Sequence, residues 1–254
     1  MRKLFVFGDS FAATAQPNQV GKAWCDTLAE VYGYYLVNHA LGGTGPEYAW
    51  DSLWNNRRAI QENAQAGGEN HAIFVISNTA RVWTHHHKNP ADVACQPIYD
   101  VDKKNYTWNM IDKDRTYLKQ LNQMEMSWMY GHRIHCDDTA YQRRYLVQLL
   151  QSLCYSVEKY NIKRMFVATS FANQHDLIKH DVDELLLDNM WYFDQPLFNI
   201  EPLESHQSLG TGTDVRVNHI TEGNRRVLCD VVNKYLMFGK RTPSAKCAWG
   251  KYDR

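Results

Sequence analysis

The segment Leu4-Phe5-Val6-Phe7-Gly8-Asp9-Ser10 places four apolar residues directly before a polar turn. A short apolar run that stops at glycine and aspartate is typical of a buried β-strand. In open α/β sheets, ligands bind at the carboxyl ends of the strands. The segment therefore predicts a first strand that ends at the edge of a sheet, where Ser10 is a candidate nucleophile or, alternatively, Asp9 or Ser10 caps the next helix. We expect Asp9 to fix this turn through local hydrogen bonds.

Three further apolar runs, at residues 34–37, 72–76 and 164–168, predict strands of the same kind. Four other segments have apolar residues at helical spacing and predict α-helices: residues 20–31, 47–65, 138–160 and 221–237. Because strands and helices alternate, the pattern predicts a parallel sheet that is covered by helices on both faces. Right-handed crossovers bring the carboxyl ends of parallel strands to one edge, so the turns after these strands should lie side by side.

Composition narrows the possible class of protein. The chain has 254 residues, of which 44% are hydrophobic, and this predicts a single domain. Two polar and aromatic segments, at about residues 81–136 and 171–213, interrupt the pattern and are expected to be insertions at the edge of the sheet. The formal net charge is zero, which argues against nucleic acid or an anionic membrane as a partner.

The apolar runs and the cysteines bear on the expected compartment. Every apolar run is too short for a signal peptide or a membrane span, so we expect a cytoplasmic protein. The six cysteines are widely scattered and include no C-x-x-C pair. We therefore expect mostly reduced thiols with a structural role.

The predicted turns carry groups that together could perform acyl transfer. Ser10 follows the first strand, and Gly42-Gly43 follows the second. Asn78 follows the third strand, and His219 stands just before the last helix. Acyl transfer needs a nucleophilic hydroxyl, a base that takes its proton, and N–H donors that stabilise an oxyanion. A hydroxyl, a glycine turn, an amide and an imidazole supply those parts.

The four blocks resemble those of the SGNH (GDSL-type) hydrolases, a family named for a Ser, a Gly, an Asn and a His in separate blocks. The resemblance spans residues 4–238 and implies a flavodoxin-like three-layer α/β/α sandwich. It also implies that Ser10 is the nucleophile and that His219 is the general base and then the general acid. The implied oxyanion hole consists of the N–H groups of Ser10 and Gly43 and the side chain of Asn78. The implied reaction needs no metal and no organic cofactor.

Two positions depart from the family pattern. The third block reads Ser77-Asn78-Thr79 instead of the usual Gly-x-Asn-Asp, although it keeps the asparagine. Three residues before His219, where the family usually has an aspartate, stands Arg216. An arginine cannot accept the imidazole N–H. Either Asp214 or a backbone carbonyl could therefore orient His219, which gives a triad or a dyad.

The aromatic and polar insertions favour an esterase that acts on O-acetylated carbohydrate over a lipase. Arg81 and Trp83 are candidates for contacting such a substrate, either as a small molecule or as a glycan. Two other functions use the same residues. One is a catalytically silent carbohydrate-binding module, in which Arg216 marks the loss of activity. The other is an acyltransferase that passes the acyl group from Ser10 to a sugar.

Three short motifs suggest other chemistry, and a simpler interpretation is preferred for each. Consecutive histidines at residues 85–87 point in different directions, which favours a solvated loop over a metal site. His132 and His135 precede Cys136 and Asp137 and could bind a metal ion. The sequence has no second motif of this kind to complete such a site, which argues against it. The glycine-rich turn at residues 42–45 lacks the spacing of a phosphate-binding loop.

Overall fold

The computed structural model describes residues 1–15, 21–79, 139–200 and 220–250, together with the backbone of two strands at 96–100 and 105–109. Numbered along the chain, the strands are β1 (Arg2–Phe7), β2 (Tyr35–Asn38), β3 (Glu69–Ile76), β4 (Gln96–Asp100), β5 (Asn105–Asn109), β6 (Ile162–Thr169) and β7 (Met190–Tyr192). The α-helices are α1 (Trp24–Tyr32), α2 (Pro46–Gln65), α3 (Thr139–Lys159), α4 (Ala172–Ile178), α5 (Val182–Leu185) and α6 (Glu222–Phe238). Short 3-10 helices cover Leu197–Ile200 and Ser244–Lys246.

The central sheet has five parallel strands in the order β2-β1-β3-β6-β7, while β4 and β5 form a separate antiparallel pair. Counted within the sheet alone, the order is 2-1-3-4-5, which is that of flavodoxin-like sheets. The order reverses between β1 and β3, and such sheets bind ligands at the carboxyl ends of the strands at this switch point. The predicted α/β class with a parallel sheet is therefore confirmed, and the loops after β1 and β3 lie at this point.

Both faces of the sheet are buried under helices. Leu4 and Val6 of β1 belong to a core cluster that includes residues of α1 and α6. Phe5 and Phe7 belong to a second cluster, which includes residues of α2 and α3. This alternation follows from the period of two in a strand, because successive side chains point to opposite faces. The chain is thus layered as helices, sheet and helices over its described part.

All four strands expected from the apolar runs are present, and each predicted long helix is found within a few residues of its expected start. The apolar runs do not predict β7. This strand pairs with β6 and lies within residues 171–213, which were expected to be an insertion. That part of the segment therefore belongs to the sheet itself. Residues 81–95, 101–104, 110–136 and 201–213 of the expected insertions lie outside the described residues.

Two structural findings relate to the expectations from composition. No helix within the described ranges is both long enough and apolar enough to cross a membrane. The cysteines in the same ranges are all free thiols: Cys25, Cys154, Cys229 and Cys247.

His71 of β3 is buried at the amino edge of the sheet, opposite the edge that carries Ser10. It is 1% exposed, and neither ring nitrogen has a hydrogen-bond partner in the described part of the chain. Burial lowers the pKa of His71 to about 4, against an opposing effect of Glu69, whose carboxylate oxygen lies 3.7 Å from Nε2. Arg2, Lys163 and Arg164 also lower this pKa. The folded protein therefore favours the neutral imidazole.

We expect His71 to make folding stability depend on pH between about 4 and 6.5, because the unfolded chain takes up this proton first. The stability that goes with a neutral His71 is fully present above the pKa that His71 has in the unfolded chain. It is lost as the pH falls towards the pKa that His71 has in the folded protein. When the pH falls from about 7.5 to about 5, the free energy of unfolding should decrease by roughly 2 kcal/mol less in His71→Leu than in the wild type. Urea unfolding at both pH values measures this difference.

His180→Leu serves as the control, since His180 is an exposed histidine on the surface of the same domain. An equal loss of stability at low pH in His71→Leu and in the wild type would contradict the assignment.

Candidate functional site

The turn after β1 depends on Gly8, whose φ of +152° is a conformation that L side chains rarely adopt. A Cβ atom on Gly8 would lie 2.8 Å from Val75 Cβ and 3.1 Å from the Val75 carbonyl oxygen. Only glycine therefore fits between β1 and the neighbouring strand β3. This close approach brings the residues after Gly8 directly to the end of β3.

Asp9 joins the carboxyl ends of three strands. Its side chain is fully buried, and Oδ1 accepts a 3.0 Å hydrogen bond from the Phe11 N–H. Ser77, which follows β3, donates its hydroxyl to Oδ2 at 2.7 Å. Ser170, which follows β6, donates its hydroxyl to the same carboxylate, with 2.9 Å to each oxygen. The expected local hydrogen bonding of Asp9 is present, and two distant strands add to it.

The backbone of the turn that carries Ser10 is held by several contacts. The N–H groups of Ala12 and Ala13 donate to the Asp9 carbonyl at 3.0 and 2.9 Å, which closes one helical turn that contains Ser10. Trp24 of α1 donates its indole N–H to the Phe11 carbonyl at 2.5 Å. Asn38, at the end of β2, donates to the Ala12 carbonyl at 2.9 Å. Ser10 is thus fixed by its own turn, a helix and a neighbouring strand.

The glycine turn after β2 lies against Ser10. The Leu41 N–H donates to the Gly8 carbonyl at 3.0 Å, which attaches this turn to the loop that carries Ser10. A Cβ atom on Gly42 would lie 3.6 Å from Ser10 Cβ, so Gly42 leaves its backbone open beside Ser10. Gly43 has a φ of +86°, and the Thr44 N–H donates to the Leu41 carbonyl at 3.4 Å, as in a type II turn.

Asn78 completes the described part of the site. It follows Ser77, whose hydroxyl is bonded to Asp9, and it is partly exposed, whereas Ser77 and Thr79 on either side are buried. Ser10 is also partly exposed. Of the predicted site residues, the structure therefore brings Ser10, Gly43 and Asn78 to one edge of the sheet on three adjacent strands.

Two histidines near the carboxyl edge have packing roles. His39 follows β2, and its ring stacks on Phe7 with 5.9 Å between centroids. Burial lowers the pKa of His39. His175 of α4 shares a 2.9 Å hydrogen bond between its Nδ1 and the Tyr192 hydroxyl, and burial lowers its pKa as well. Both histidines therefore pack against aromatic side chains beside this edge.

The other predicted site residues lie outside the described residues: His219, Asp214, Arg216, Arg81 and Trp83. The histidine-rich motifs at 85–87 and 132–135 lie there as well. Among the residues that the structure does describe, no group of three or more His, Cys, Asp or Glu side chains could hold a metal ion. Ile220, which directly follows His219, is fully buried in the same core cluster as Phe11 and Ala12.

Sequence reasoning assigned no role to Ser77 or Ser170, and it singled out Gly43 rather than Gly42 in the glycine turn. Both serines stand directly after predicted strands, so the shared edge of the sheet was a usable signal for them. The sequence does not show which of the two adjacent glycines, Gly42 or Gly43, lies against Ser10. Gly43 carries the positive φ of the turn, and Gly42 lies against Ser10.

Comparisons with known proteins add no assignment to this geometry. The chain matches no protein-family model, and it has no significant match among curated proteins. The three loops and the groups that they carry are therefore the features that bear on function.

The hydrogen bonds to Asp9 should contribute measurably to stability. Ser77→Ala and Ser170→Ala should each lower the free energy of unfolding by about 1.5–3 kcal/mol, because each removes a buried hydrogen bond to a carboxylate. Ser152→Ala is the matched control, since its hydroxyl bonds only within α3, to the Gln148 carbonyl. Urea unfolding of the three variants at neutral pH makes the comparison, and a Ser170→Ala protein as stable as the control would contradict it.

Proposed function

We propose that this protein is a serine esterase of the SGNH type, with Ser10 as its nucleophile. The observation that carries the proposal is the meeting of three loops at the switch point of the sheet. Ser10 lies on a braced turn, the Gly42 backbone lies against it, and Asn78 follows the adjacent strand. The strand order of the sheet supports the same family, since the resemblance implies a flavodoxin-like sheet.

In the proposed reaction, the Ser10 hydroxyl oxygen attacks the ester carbonyl carbon and His219 takes the hydroxyl proton. The tetrahedral oxyanion is stabilised by the N–H groups of Ser10 and Gly43 and by the side-chain amide of Asn78. The C–O bond to the alcohol then breaks, and His219 returns the proton to the departing oxygen. Water attacks the acyl-serine with His219 again as the base, which releases the acid and restores Ser10.

Two features support His219 as the base. It stands one residue before Ile220, whose side chain lies in the same core cluster as the residues after Ser10. The two histidines described at this edge already have other contacts, His39 with Phe7 and His175 with Tyr192. Asp214 or a backbone carbonyl would orient the imidazole.

The substrate class that we propose is an O-acetylated carbohydrate. Residues 81–136 contain three tryptophans and four tyrosines among polar residues, and Arg81 and Trp83 begin this segment. Aromatic side chains with polar neighbours suit sugar rings, which have apolar faces and a rim of hydroxyl groups. A binding surface for long acyl chains would instead require extended aliphatic lining.

Ser10→Ala should abolish the hydrolysis of p-nitrophenyl acetate, with a loss of at least about 10³-fold in kcat. A fluorophosphonate probe should label the wild type on Ser10, as located by peptide mass spectrometry. Ser152→Ala, a serine on the outer face of α3, should keep both the activity on this ester, which carries no glycan, and the labelling. Equal turnover by the wild type and Ser10→Ala would rule out the esterase and leave the binding module.

Asn78→Ala should lower kcat by about 10²–10³-fold with little change in KM, because an oxyanion donor acts mainly in the transition state. Asn173→Ala is the control, since Asn173 is an exposed asparagine on α4. Initial rates with p-nitrophenyl acetate separate the two constants. A change confined to KM would assign Asn78 to substrate binding and remove it from the oxyanion hole.

A further inference from the structure

A groove with exposed aromatic side chains runs between α2 and α3 on the outer surface of the domain. We call it the aromatic groove, and six residues line it: Trp50, Trp54, Gln148, Gln151, Ser152 and Tyr155. Three of these residues also line an adjoining hollow of about 330 Å³, which extends the groove towards Glu47 at the start of α2.

The aromatic residues of the groove are presented to solvent in a fixed arrangement. Trp54 is 42% exposed and Tyr155 is 55% exposed. The Arg57 guanidinium lies 4.3 Å from the centre of the Trp54 ring and donates a 2.7 Å hydrogen bond to the Trp54 carbonyl. A cation held over an indole ring stabilises its position. Trp54 is therefore held in place, with Arg57 over one face of its ring, and a ligand would stack on the other face.

The spacing of the groove residues places them on facing sides of the two helices. Trp50 and Trp54 are four residues apart on α2 and share one face. On α3, Gln148, Gln151 and Tyr155 are separated by three and four residues and likewise share one face. The groove therefore has aromatic side chains on both walls, and the two glutamine amides belong to the α3 wall, as Tyr155 does.

The polar groups of the groove suit a ligand with many hydroxyl groups. The amides of Gln148 and Gln151 can both donate and accept hydrogen bonds, as a sugar hydroxyl requires. The adjoining hollow adds the carboxylates of Glu47 and Asp51, which disfavour an anion there, while the nearby cation of Arg57 is held over Trp54. Among the described lining residues only Leu149 is aliphatic, which disfavours an apolar helix from a protein partner.

We propose that the aromatic groove binds a neutral oligosaccharide chain. The apolar faces of the sugar rings stack on Trp54 and Tyr155, and their hydroxyl groups bond to the two glutamine amides. Binding sites with aromatic walls and a few placed polar groups are typical of small-molecule recognition. This inference deepens the proposed function, because a glycan held here would present its acyl groups to the edge of the sheet at which α2 begins.

The test measures the binding of three unesterified hexasaccharides, cellohexaose, xylohexaose and chitohexaose, to the wild-type protein by isothermal titration calorimetry. We expect at least one of them to bind with a Kd below about 1 mM. Trp54→Ala and Tyr155→Ala should each weaken that binding by at least tenfold. Tyr35→Ala is the matched control, because Tyr35 is 57% exposed on β2 and lies outside the groove; it should leave the Kd unchanged.

The same titration with Ser10→Ala separates this inference from the esterase. Binding that persists in Ser10→Ala supports the groove whether or not the protein hydrolyses esters. Far-ultraviolet circular dichroism verifies that each variant is folded. The inference is overturned if none of the three sugars binds at about 5 mM, or if Trp54→Ala and Tyr155→Ala bind as well as Tyr35→Ala does. It is equally overturned if the wild type is a dimer that these two variants dissociate, because a second copy then fills the groove.

Discussion

The buried carboxylate of Asp9 is the contact on which the edge of the sheet depends. A carboxylate removed from water is destabilising unless it is hydrogen-bonded, and here a backbone N–H and two serine hydroxyls supply those bonds. The donors come from three different strand ends, so the carboxylate is satisfied only when β1, β3 and β6 are aligned in their native register. One side chain thus links the local turn around Ser10 to the tertiary arrangement of the sheet.

The strand order explains why this edge carries the candidate site. β1 and β3 are neighbours, and the connections leave them in opposite directions, so the loops after them diverge and leave space between them. Gly8 lets the backbone pass within contact distance of Val75, and Gly42 lets the next loop come against Ser10. A side chain at Gly8 would collide with Val75, and one at Gly42 would lie against Ser10. The absence of side chains here matters as much as the presence of Ser10 and Asn78.

Much of the fold could be predicted from the sequence, because buried parallel strands are short continuous apolar runs and the helices between them keep their period. β7 could not be recognised this way, since its three residues, Met190 to Tyr192, lie within a polar and aromatic segment. The predicted site residues Ser10, Gly43 and Asn78 come to one edge, as the parallel topology requires. The bonds from Ser77 and Ser170 to Asp9 join residues up to 161 positions apart. No local pattern shows which hydroxyls will meet a given carboxylate, although their location after strands was a partial signal.

α2 connects the two surfaces for which we propose functions. The helix begins at Pro46, two residues after Thr44, and Thr44 Oγ1 is hydrogen-bonded within the glycine turn, to the Leu41 carbonyl at 2.7 Å. Trp54 is eight residues further on, which corresponds to about 12 Å along the helix axis. A helix is rigid over that length, so the aromatic groove and the glycine turn keep a fixed separation. A single monosaccharide is too short to reach both places, whereas an oligosaccharide of several units can. An esterase built in this way would therefore gain affinity with the length of its glycan, while the chemistry at Ser10 would stay the same.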